Sequence, residues 1–408
     1  MGFAKNFGNT RRLALGSVFL VANAFIWYFL VARVLEEIIN QTAASYFETL
    51  LMWSLHFAAI AISTVIGSLL TRRIGRKALF LVWIAMGIMS PFTLVVFNLT
   101  QTLIAVLLSI LFGASLGLGM PNCMEYFTTC TRTKNRGRYG GIIMLISGLG
   151  LVMLGIIDIG TLELPVLVLV LWRLSSLLFV MLQAKPFNEN TEKGREVTYG
   201  FVLSQKPFIL YVIPWVMFSL VNQLSTPVQF GILGKSEVEF LMFIENALLG
   251  LFAVVGGFLS DYVGRKRMAI AGFVVLGLGF SILGLYPANP LSWYFYTVVD
   301  GIAWGLLFVI FVITVWGDLS HEASSDKYYA IGVLPFFLSK YLQLVLGTFI
   351  ADFISPYALF SFTAFFLFLA VLPLMYAPET LPEKHIKERE LKSYIEKAKK
   401  EAEKAKKK

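Results

Sequence analysis

Three ionisable side chains stand inside long apolar runs, where a charge costs at least about 2.5 kcal/mol on insertion scales. Asp300 follows "SWYFYTVV", nine residues into the run that begins at Leu291, and Lys340 follows "GVLPFFLS", eleven residues into the run from Tyr329. At a rise of ~1.5 Å per residue these depths are about 14 Å and about 16 Å from opposite ends, so both approach the middle of a ~30 Å hydrocarbon slab. Glu245, followed by Asn246, is seven residues into the run from Val238. An acid so placed can exchange a proton with changing surroundings, or it can hold a structural ion pair, here Asp300 with Lys340. Neutral groups accompany them: Asn23 in the first run, and Asn222, Gln223 and Ser225 in the seventh, offer hydrogen bonds to a hydroxyl-bearing solute or to a neighbouring helix. His56 and Arg173, also within runs, read as a structural hydrogen bond and a snorkelling or paired cation.

The elements that must position these groups follow from composition. The 408 residues are 57% hydrophobic and 14% charged, with a mean hydropathy of +0.75, which excludes a soluble globular domain and defines an integral membrane protein. Two cysteines, Cys123 and Cys130, support neither a disulfide framework nor a metal site, and nothing matches a nucleotide-binding pattern. No cofactor, metal or catalytic residue is expected, and no nucleic-acid partner despite the net charge of +9. "ANA" at Ala22 to Ala24 imitates a signal-peptidase site, but the apolar run continues to about Val34 and is kept as a span.

Twelve apolar windows can be placed: 13–34, 48–70, 78–98, 101–125, 139–158, 162–183, 207–228, 238–260, 268–286, 291–316, 329–350 and 355–376. With the N-terminus inside, nineteen Lys and Arg fall on the inner segments, while the outer loops hold Lys235 alone, with Arg33 near a boundary. The outer side carries Glu36, Glu37, Glu48, Asp158, Glu163, Glu237, Glu239 and Asp352 instead. This asymmetry places both termini in the cytoplasm of a multi-pass cell-membrane protein. The polar stretch 184–206 divides the chain into bundles at 1–183 and 207–380, with a basic tail at 381–408. That tail pairs Glu388 with Lys392, Glu396 with Lys400 and Glu403 with Lys407 as a solvated helix, or rests on anionic headgroups.

A charged cluster recurs: "SLLTRRIGRK" at Ser68 to Lys77 and "GFLSDYVGRK" at Gly257 to Lys266, with Gly264 falling 189 residues after Gly75. Both follow the second span of their half and face the same side, so the halves are parallel repeats. A glycine at a span's end lets a neighbouring helix approach, and a carboxylate just beyond can accept that helix's N-terminal N–H groups. Arg265 and Lys266 would anchor at headgroups. The second copy resembles the signature of the major facilitator superfamily between its second and third helices, repeated between the eighth and ninth. The resemblance implies an all-α fold of twelve transmembrane helices, two six-helix bundles around a central cavity, and a gate latch formed by Gly257, Asp261, Gly264, Arg265 and Lys266. In the first copy Gly75, Arg76 and Lys77 match, but Ser68 and Arg72 replace glycine and aspartate; that copy is a gate or a set of cytoplasmic anchors.

"RGR" at Arg136 to Arg138, "PETLPEK" at Pro378 to Lys384 and "NQLS" at Asn222 to Ser225 are similar to segments of the sugar-porter branch. That branch usually has arginine where Ser109 stands before Gly113, and a Gly-Pro-rich tenth helix absent here. The resemblance implies a monomeric secondary transporter of a sugar or other small metabolite, working by alternating access. Acids within the spans make a proton the expected coupling ion, with Asp300 first and Lys340 and Glu245 modulating it. Efflux of amphipathic drugs or organic cations, and a transporter-like sensor, are the rival readings. Glu125 is expected to pair with Arg132 or Arg136.

Overall fold

A chain with no water to satisfy its backbone must close every hydrogen bond internally, and these apolar runs do so as helices. The computed structural model describes residues 2–96, 102–154, 163–182, 195–321 and 323–381. Twelve long helices carry the runs: α1 Gly2–Thr42, α2 Tyr46–Ile74, α3 Arg76–Val96, α4 Thr102–Cys130, α5 Thr133–Leu154, α6 Glu163–Leu182, α7 Lys206–Leu233, α8 Lys235–Val263, α9 Arg265–Leu285, α10 Pro290–Leu319, α11 Asp326–Phe353 and α12 Pro356–Tyr376. Eleven are long and apolar enough to span a membrane by themselves. The other, α5, opens on the polar "TKNRGR", and its described part ends at Leu154, short of the expected boundary at 158. A π-helical segment, Val309–Thr314, interrupts α10.

Helix pairing repeats six elements later. α2 packs on α4 as α8 does on α10, α3 on α6 as α9 on α12, and α1 on α5 as α7 on α11. These are the parallel halves that the charged clusters imply. The halves meet along two seams, a broad one between α5 and α8 and a narrower one between α2 and α11. Lipid-facing positions are apolar, and Phe362 and Phe365 of the phenylalanine-rich last helix are exposed there.

The links between paired helices are shorter than the spans imply. α2 passes to α3 through Gly75 alone, and α8 to α9 through Gly264 alone, with φ of 81° and 118°. Only glycine enters that region without strain, which is why the repeated cluster keeps this residue in both copies. Arg76 and Arg265 consequently begin helices instead of trailing in loops. The polar stretch 184–206 is also more ordered than a loop: its described part runs extended from Arg195, which forms a β-bridge with Ala323, into a short helix Tyr199–Ser204 capped by the Thr198 hydroxyl. The rest of that stretch, and the tail from 382, lie outside the described residues.

Gly264 also lies against the Glu379 carboxylate, so an added methyl would meet both strain and a clash. Gly264→Ala is expected to destabilise the protein by about 1–3 kcal/mol, read as a lower unfolding temperature in detergent beside an exposed control such as Gly231→Ala, which meets no neighbour.

Candidate functional site: a central cavity above a buried ionic gate

A cavity of ≈ 240 Å³ lies between the halves, walled by α1, α5, α7, α8, α10 and α11. The first half contributes Phe29, Met144, Leu151 and the small Ser147 and Gly148; every amide and ionisable group comes from the second half. Asp300, 3% exposed, stands against the Glu245 carboxyl, the Tyr296 hydroxyl and the Trp304 side chain. Tyr296 in turn meets Gln229. The Asp300 Oδ1 atom is buried without a hydrogen-bond partner among the described residues. Trp304, Phe308 and Phe336 form an aromatic wall beside the acids.

The structure brings Asp300, Glu245 and Lys340 to one cavity, and of the two readings of Asp300 it does not show the ion pair with Lys340. No salt bridge joins the two among the described residues; Lys340 Nζ donates to Gln343 Oε1 at 2.7 Å, three positions along its own helix. Asn222 and Gln223 line the cavity, and Asn222 and Asn246 each use one amide N–H on their own helix, to Phe218 O at 3.0 Å and Met242 O at 2.8 Å. Ser225 does not line it: the hydroxyl is buried against Asn222 O at 2.9 Å. Asn23 is corrected likewise. It joins α1 to α6, donating to Trp172 O at 2.9 Å and Ser175 Oγ at 3.2 Å, and accepting from Arg173 at 3.3 Å. Arg173 does not snorkel, and among the described residues it meets no carboxylate; it lies over the Trp83 and Trp27 rings at 4.3 and 4.7 Å, a cation–π site that tolerates burial. His56 bonds Ser109 O at 3.0 Å and the Tyr28 hydroxyl at 3.4 Å, the structural hydrogen bonds expected of it.

Below the cavity, on the face that carries the basic clusters, three separated sequence segments converge. Asp261 accepts the backbone N–H groups of Gly137 and Arg138, both at 2.9 Å. The Thr133 carbonyl, the i−4 acceptor for Gly137 in the first turn of α5, also receives Arg265 Nη2 at 2.8 Å. The α8 cluster is thus bound directly to the backbone that begins α5. Gly257 and Gly137 allow it, because a Cβ on either would collide with the other's carbonyl oxygen. Arg265 also pairs with Asp261 at 2.7 Å and with Asp318 at 3.1 Å, and Arg136 pairs with Asp318 from the other half. Two cations and two anions are thereby balanced with almost no solvent contact. Glu379, in "PETL", accepts the N–H groups that begin α9, Arg265 at 2.7 Å and Lys266 at 3.2 Å. Arg265 is therefore buried in the gate instead of anchoring at headgroups, while Lys266 Nζ donates to Met375 O at 2.7 Å.

The first copy forms a weaker counterpart. Arg76 meets Glu125 at 3.1 Å, as Arg265 meets Asp318 at the end of the corresponding helix, and Ser324 of the second half donates to Glu125 at 2.5 Å where Arg136 serves Asp318. Glu125 thus pairs with Arg76, not with Arg132 or Arg136. Lys77 lies beside Arg76, partly exposed. Where the first copy has Arg72 in place of the acid, Glu196 of the connecting segment supplies a carboxylate, 2.6 Å from Arg72 and 3.6 Å from Lys327. Tyr199 of the same segment is hydrogen-bonded to Ser68. Asp318, Glu196, Tyr296 and Gln229 were not singled out in the sequence; the one signal for Asp318 is an acid on the basic face at the end of a span.

Residues 208–406 match the family model of the Major Facilitator Superfamily. The fold extends over both halves. A double tryptophan mutant of XylE superposes with a TM-score of 0.69 at 16% identity, covering 91% of this chain and 96% of that one. The proton:xylose symporter XylE bound to 6-bromo-6-deoxy-D-glucose gives 0.67 at 16% identity, covering 92% and 97%. No curated protein matches the chain. The second half of the chain is thus similar in sequence to the Major Facilitator Superfamily, and the chain as a whole shares the fold of the XylE structures.

Removing Asp318 leaves Arg136 and Arg265 buried without their shared counter-charge, at a cost of about 3–5 kcal/mol. Asp318→Ala is expected to lower the unfolding temperature in detergent. Glu196 is 60% exposed, so Glu196→Ala is expected to change stability by no more than about 1 kcal/mol.

Proposed function

We propose that the protein is a secondary active transporter that moves a small hydroxylated metabolite, a sugar or a compound like one, in symport with a proton. The carrying observation is the meeting of Glu245 and Asp300 inside a cavity of the membrane domain. Two ionised carboxylates ~4 Å apart repel by about 4 kcal/mol at an effective dielectric of 20. A proton held between them removes that repulsion, and the state of the pair then depends on which face the cavity opens to. Gln223, Gln229 and Asn246 provide hydrogen bonds for hydroxyl groups, and Trp304 with Phe308 and Phe336 covers the apolar faces of a ring.

Alternating access follows from the two seams. The buried cluster around Asp261 and Asp318 holds the basic face shut, and its release lets the halves rock about the cavity. The basic face is the cytoplasmic one by the distribution of Lys and Arg, in a cell membrane. The likeness to a proton:xylose symporter supports the reading. The aromatic wall also favours a second reading, efflux of amphipathic cations.

Reconstituted vesicles separate the two. Exchange of radiolabelled sugars with insensitivity to hydrophobic cations supports symport; transport of hydrophobic cations without sugar exchange overturns it in favour of efflux. Asp300→Asn is expected to retain exchange while losing accumulation driven by an imposed pH difference. Undiminished accumulation removes Asp300 from the coupling step.

A further inference from the structure

We infer that the transported solute carries a carboxylate: the cavity fits a small hydroxylated acid, of the aldonate or uronate kind, bound through Lys340. The inference rests on the transport reading and names the substrate class for its site. Among the described residues Lys340 is the only cation lining the cavity. Its ammonium has three donors, one of which is engaged by Gln343, and the residue remains exposed although it stands deep in α11. No carboxylate lies within ion-pair distance of it among the described residues. Glu36 of α1 acts on it only from farther away. The cavity's own acids are turned to one another and to Tyr296. An ammonium that opens onto a cavity between the bundles with no carboxylate at ion-pair distance leaves donors that a solute carboxylate can take.

The same arrangement gives a physical origin for coupling. Around the acid pair the other ionisable groups are Tyr296 on α10 and Lys340 on α11; α1, α5 and α7 present Phe29, Ser147 and neutral amides. Each proton taken up by the pair makes the cavity's net charge more positive, and so draws an anion more strongly. By linkage, a bound anion must then hold the proton more tightly by the same factor. A neutral sugar gains nothing from this charge, whereas a sugar acid is pulled in with its proton. The amides left over hydrogen-bond the hydroxyls in either case.

The test is competition in counterflow by reconstituted protein, with glucose, gluconate, glucuronate and glucosamine as probes at several pH values. The expected result is that an acid competes on the order of tenfold better than glucose, with the advantage growing as pH falls. Lys340→Gln should remove the acid's advantage over glucose, and Lys340→Arg should restore most of it. Equal competition by acid and neutral sugar overturns the inference and leaves the transport reading standing. A preference for amino sugars overturns it by reversing the sign of the recognised charge. Absence of exchange for every probe in the wild-type protein overturns the transport reading and the inference together. Should Lys340→Gln fail to fold, the pH dependence of competition in the wild-type protein decides alone.

Discussion

One carboxylate, Asp261, organises the basic face. It accepts two backbone N–H groups of α5 while Arg265 donates to the Thr133 carbonyl of the same turn, which ties the end of α8 to its neighbour's backbone. Such contact needs the two backbones to lie close, hence the facing glycines at 137 and 257. It also needs the arginine's charge to be matched, hence Asp318 and, through it, Arg136. Ionic contacts this deeply buried gain little over an apolar seam of the same size, since desolvation offsets most of their attraction. What they provide is a definite geometry that is costly to half-break, which suits a contact that must be either made or absent.

The cavity is asymmetric in chemistry although its walls are related by repetition. The first half gives it shape, through small residues on α5 that let α8 come close, and the second half gives it charge and amides. Duplication thus set the scaffold, and divergence confined ligand chemistry to one copy. The first half buries its own polar groups, Asn23, His56 and Arg173, among its helices.

The sequence revealed the architecture well because the signals involved are local. An apolar run is long enough to cross or it is not, and a glycine with positive φ at a one-residue link leaves the same trace at Gly75 and Gly264. The three short segments around Asp261, Arg136 and Glu379 were each legible, but their convergence was not, since it spans more than two hundred residues of chain. Asp318 was missed for the same reason. Arg265 reads as a headgroup anchor by the rule that serves its neighbours, and only the fold shows it turned inward. Depth along a span placed Asp300 and Lys340 near the middle and Glu245 shallower, but a helix position does not tell which way a side chain turns. Hence Asp300 faces Glu245 and not Lys340, and Asn23 and Ser225 face helices instead of the cavity.

The connecting segment adds a different kind of closure at the narrower seam. Arg195 O accepts the N–H of Ser324 at 3.1 Å, and Tyr199 holds Ser68, so a few residues of linker are stitched across both bundles. Parting the bundles there breaks a main-chain hydrogen bond and the Tyr199–Ser68 bond together with the exposed Glu196 ion pairs to Arg72 and Lys327, so main-chain geometry and salt both bear on that step. The covalent tie between the duplicated parts thereby doubles as a hasp, whose length and pairing can vary without touching either the central cavity or the salt-linked latch opposite.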